Sequence, residues 1–107
     1  MTHQQAFNKI VRHLRKQNRR SEDGGCLYRG PGGLQCAIGC LIPNSEYKDT
    51  FEGVSVYGLR NLAPSLKGID ILMLKDMQDI HDTYDVRSWE TAFAEVAWRY
   101  SLKMPKK

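Results

Sequence analysis

The sequence predicts a mostly helical α+β domain with three main helices, short helices between them and one small β-hairpin over about residues 26–38. Three observations carry this. Phe7, Ile10, Val11 and Leu14 recur at helical spacing near the start, and Trp89, Phe93, Val96, Ala97 and Tyr100 do so near the end. Between them, Pro31-Gly32-Gly33 separates two stretches that sort apolar from polar residues in alternation. With 107 residues, 41% of them hydrophobic and 26% charged, the chain reads as one small globular domain spanning 1–107.

The first helix is placed from near residue 3 to near Asn18. Thr2 and Gln5 stand at capping-box spacing, and the charged, glycine-rich "RRSEDGG" follows its end. In the hairpin, Pro31-Gly32 suits a type II turn and Gly33 a left-handed closing position. That register sets Tyr28 against Cys36 and Arg29 against Gln35. It gathers Cys26, Tyr28, Leu34, Cys36 and Ile38 on one apolar face.

A short helical turn is expected around Glu46–Lys48. A short helix capped by Ser55 carries Val56, Leu59 and Leu62 and is broken by Pro64. The second main helix runs from about Asp70 to Thr83, with Leu72, Met73, Met77 and Ile80 inward and Asp76, Asp79 and Asp82 outward. The third runs from about Val86 to Leu102. The basic tail, residues 103–107, is expected to fray.

Composition also limits function. No stretch approaches the ~20 apolar residues of a membrane span. "MTHQQAFNKIV" has polar residues where a signal peptide has its apolar core, so the expected location is the cytoplasm, with reduced cysteines. The cysteines offer a metal three ligands, Cys26, Cys36 and Cys40, with His81 or His13 as a fourth. Their C-x9-C-x3-C spacing lacks the paired knuckles of zinc modules, so no metal or other cofactor is expected.

A nucleophilic Cys36 or Cys40 would need His81 with Asp82 or Asp79 behind it. Adjacent residues on a helix diverge, which makes Asp82 a poor orienter, and a cysteine-dependent enzyme is the least favoured reading. "RGPGG" matches no phosphate-binding fingerprint and reads as a turn.

Charge is the remaining signal. Net charge is +4, and residues 1–20 hold Lys9, Arg12, Arg15, Lys16, Arg19 and Arg20 with no acid. Residues 68–90 are predominantly acidic. Arg12, Arg15, Lys16 and Arg19 avoid the apolar stripe of the first helix and form the leading partner-binding candidate, with Arg29 at the hairpin tip beside them. Such a face suits an acidic protein surface or nucleic acid phosphates. No helix-turn-helix, zinc finger or stacking-strand motif accompanies it.

The segment "YRGPGGLQCAIGCLIPNSEY", then "EGVSV" and "LKDMQDIHD", resembles a family of small uncharacterised proteins of bacteriophages and bacterial mobile elements. The shared features are Tyr28–Gly30, Gly33–Gly39, Leu41–Pro43 and Glu52–Val56. The resemblance brings no catalytic residue. It implies a phage setting and an accessory protein that binds a host protein, with a counter-defence inhibitor as one form of it. The alternative is a nucleic-acid- or nucleotide-binding module of the sponge type.

Overall fold

The structure is a computed structural model and describes all 107 residues. Helix α1 (His3–Gln17) begins where expected. The Thr2 hydroxyl accepts from the Gln5 amide at 3.0 Å, and Gln5 Oε1 accepts from the Thr2 amide at 2.9 Å. Asn18 ends the helix in the left-handed region (φ 52°), donating its amide to the Leu14 carbonyl. Phe7, Ile10, Val11 and Leu14 are all fully buried.

Helices α2 (Val56–Leu62), α3 (Ile71–Thr83) and α4 (Trp89–Arg99) follow at the expected places. Ser55 caps α2, and Asp70 caps α3 by accepting from the Leu72 and Met73 amides. A single 3₁₀ turn, Val86–Ser88, leads into α4. α3 packs on both α2 and α4, and the segment Gly39–Leu41 packs on α1. One core of 27 buried residues joins these elements, including Phe7, Leu14, Met73, Trp89 and Phe93.

The fold class needs correction: the chain is all-α, with no strand, sheet or hairpin. The register across the glycine turn is the expected one at a single pair, an isolated bridge between Arg29 and Gln35. It does not extend, because the Tyr28 and Ile38 amides and the Cys36 carbonyl, which further rungs would use, are already taken. The Tyr28 and Arg29 amides donate to the Glu52 carboxylate at 2.9 and 3.0 Å. The Ile38 amide donates to Gln78 Oε1, and Cys36 O accepts from the Cys40 amide in a helical turn. Cys26 bridges to Glu22 instead, and its side chain is exposed rather than part of an apolar face.

Two smaller expectations also change. The helical turn near Glu46 lies at Asp49–Phe51, after a turn closed on the Pro43 carbonyl. On α3, Leu72 is 56% exposed and Leu74 is buried in its place.

The tail has no regular secondary structure but lies against α1. Gln4 exchanges two hydrogen bonds with the Lys103 backbone, each 2.8 Å, and Pro105 is buried.

Candidate binding face on helix α1

The basic residues of α1 meet three different fates. Arg12 and Lys16 are exposed and form no ion pair. Arg15 lies between them, with its side chain only 18% exposed. Its Nε donates to both oxygens of Glu90 at 3.1 and 3.0 Å, and its NH2 donates to Oε1 at 2.7 Å. Its NH1 donates to the Pro105 carbonyl at 2.8 Å. The hydrogen bonds from Arg15 hold the Glu90 carboxyl below the usual glutamate range, against partial burial.

This network sits in a cleft of about 480 Å³ between α1, α4 and the tail. Leu14, Val86, Trp89 and Phe93 give the cleft an apolar floor, and Arg12, Lys16, Lys106 and Lys107 place cations around it. Of these cations only Lys107 approaches a carboxylate, Glu90 at 3.9 Å, which Arg15 already holds. The cleft therefore presents uncompensated positive charge above a floor that is almost wholly buried, with only Val86 partly exposed.

The charge asymmetry of the sequence survives folding. Among Lys9, Arg12, Arg15, Lys16, Arg19 and Arg20, only Arg15 pairs with an acid. Arg20 instead donates to the Tyr84 carbonyl at 2.6 Å. The acids of α3 take other partners: Asp76 with Arg99, Asp79 with Lys75 and Asp82 with His81.

Arg19 is exposed beyond the end of α1 and does not line the cleft. Arg29 is elsewhere and is engaged within the fold. Its guanidinium donates to Asn44 Oδ1 and the Ile42 carbonyl and lies 4.7 Å from the Tyr47 ring centroid. The cleft thus gathers Arg12, Arg15 and Lys16. Lys106, Lys107 and Glu90 are its unforeseen members, because only the docked tail brings the two lysines there.

A second group of ionisable residues is Cys26, His81 and Asp82, whose ligand atoms lie within 4.8 Å of one another. Contrary to expectation, His81 and Asp82 do meet: His81 Nδ1 is 2.7 Å from Asp82 Oδ1. The fully buried imidazole is fixed on both sides. Its Nε2 accepts from the Ser21 amide at 2.9 Å, so Nδ1 carries the proton that it donates to Asp82. The ring also stacks on Trp89, with centroids 6.0 Å apart.

A metal on Nδ1 would require a proton on Nε2, which would then face the Ser21 N–H, so the donor set does not suit a metal ion. The same bond leaves no free ring nitrogen for a base. Partial desolvation at an otherwise exposed residue, with the Asp82 charge and hydrogen bond, pushes the Cys26 thiol up to about 11. Burial pushes Cys40 up to about 12 and Cys36 upward as well. Thiols held protonated are weak nucleophiles.

No helix is long and apolar enough to cross a membrane. No protein-family model, curated protein or solved structure matches the chain.

Proposed function

We propose that this chain acts by binding, and that the basic cleft beside α1 docks an acidic surface of a protein partner. The observation carrying this reading is the set of cations without carboxylate partners, Arg12, Lys16 and Lys106, around an apolar floor. Charge at the rim of an interface speeds encounter and suppresses wrong partners. The phage-type resemblance supplies the setting: an accessory protein whose partner is a host protein, with counter-defence inhibition as the corresponding role. The engaged imidazole and protonated thiols support binding over cysteine-dependent catalysis.

A nucleotide-binding reading has one observation in its favour. The cleft volume falls within the roughly 300–1,000 Å³ of ordinary ligand sites. Against it, Trp89 and Phe93 are only 3% and 1% exposed, so the floor offers a base no ring face to stack on.

The test is affinity capture from bacterial lysate with the wild-type chain and with an Arg12→Gln, Lys16→Gln, Lys106→Gln triple variant. The expected result is one acidic host protein recovered in stoichiometric amount by wild type and lost by the triple variant. Weakening of the wild-type complex at raised salt should accompany it. Equal recovery by both chains would overturn the reading. Co-purifying nucleotide or nucleic acid in place of a protein would transfer the face to the alternative.

A further inference from the structure

Helix α4 has a second face that the core does not use. Trp89, Phe93, Val96 and Ala97 point inward and are buried. At 100° per residue, Thr91, Ala94, Glu95 and Trp98 share the opposite stripe, and all four are exposed. Trp98 is 87% exposed, far more than any other large apolar residue of the chain. A shallow cleft borders its indole, lined by Thr91, Ala94, Glu95 and Arg99.

This stripe is complementary to itself in shape and in charge. Trp98 is a bulky knob, and Ala94, one turn earlier, is the small residue that leaves room for one. Glu95 forms no ion pair in the chain. Arg99 turns from Glu95 to Asp76, which its NH1 meets at 2.8 Å, and its side chain stays 53% exposed. It retains N–H groups for another acid. A twofold axis crossing α4 at the level of Val96–Ala97 would run a second α4 antiparallel to the first. Trp98 of each copy would then cover Ala94 of the other, and Glu95 would face Arg99, with each contact made twice.

We propose that two copies of this chain pair antiparallel through the outer faces of α4, with Trp98 as the anchor. Buried aromatics of this kind dominate the energetics of interfaces. The paired face shares no residue with the lining of the basic cleft, so the pairing stands independently of the partner proposed above.

The experiment is sedimentation of the full chain from micromolar to hundreds of micromolar, with Trp98→Ala and Ala94→Arg as variants. Wild type should reach twice the 12.3 kDa chain mass. Trp98→Ala should weaken association roughly 30-fold, the loss of a hot-spot side chain, and Ala94→Arg should block it by bulk and charge. Both substitutions are at exposed positions, and circular dichroism checks that each variant keeps its helices. Because the only other tryptophan is buried, indole fluorescence should shift to shorter wavelength as wild type associates. A wild-type chain that stays monomeric at hundreds of micromolar overturns the proposal. So does a dimer that neither variant weakens.

Discussion

Arg15 is the residue on which surface charge and structural charge separate. By sequence it belongs with Arg12 and Lys16, but in the fold it ties α4 and the tail to α1. Arg15→Gln removes the paired bonds to Glu90 and the bond to the Pro105 carbonyl. A well-exposed ion pair contributes about 0–1 kcal/mol, and a hydrogen bond to a charged group about 1.5–3 kcal/mol. Glu90 is 41% exposed, so its share belongs at the low end of that span. The carbonyl bond, made by a side chain only 18% exposed, contributes about 1 kcal/mol or more. Together the loss should be about 2 kcal/mol.

In a domain of this length that loss lowers Tm by about 8–16 °C. Arg12→Gln, at an exposed site without partners, should stay within about 0.5 kcal/mol of wild type. Thermal and urea denaturation of the two variants beside wild type measure the difference. If Arg15→Gln melts with wild type, Arg15 is a free surface cation and the tail is not held as described.

Two further outcomes follow from local geometry. A Cβ on Gly39 would lie 2.0 Å from the Tyr28 carbonyl oxygen, whereas one on Gly25 meets nothing within 4 Å. Gly39→Ala should therefore cost about 3 kcal/mol or more by forcing two backbones apart, and a urea midpoint equal to that of Gly25→Ala would refute the close approach. Glu90, held low by Arg15, stabilises the fold fully above the ordinary glutamate value of about 4.3. That contribution is lost as pH falls through the lowered folded value, so Tm should drop along an acid limb below about pH 4.5 that Glu90→Gln makes shallower. An unchanged limb in Glu90→Gln would count against this.

The helices were legible because their information is local. A cap at Thr2 or Ser55, a 3.6-residue apolar period and a breaking proline are all read from neighbours in the chain. The hairpin expectation failed through residues distant in sequence. Glu52 lies 24 positions from Tyr28 and Gln78 lies 40 from Ile38, and each supplies a side-chain acceptor where a strand partner was expected. Leu72 was misplaced because "ILML" offers apolar residues on adjacent faces, and only tertiary packing selects Leu74. At the cleft, Arg12 and Lys16 followed from the helical wheel. The Glu90 partner of Arg15 did not, because it depends on which flank of α4 faces α1.

The segments Tyr28–Gly30, Gly33–Gly39, Leu41–Pro43 and Glu52–Val56 prove to touch one another. Glu52, from the Glu-Gly-x-Ser-Val segment, accepts from Tyr28 and Arg29 of the Tyr-Arg-Gly turn and from the Tyr47 hydroxyl. Tyr28 donates its hydroxyl to Val54, Arg29 binds the carbonyl of Ile42 in the Leu-Ile-Pro step, and Gly39 lies directly against the Tyr28 carbonyl. Each of these residues is occupied inside the fold, so the motif describes how the irregular half of the molecule is assembled. It leaves Arg29 a poor candidate for partner recognition, since its guanidinium is engaged with Asn44, Ile42 and Tyr47. The exposed cations without carboxylate partners at the cleft, Arg12, Lys16 and Lys106, belong to α1 and the tail and take no part in these contacts.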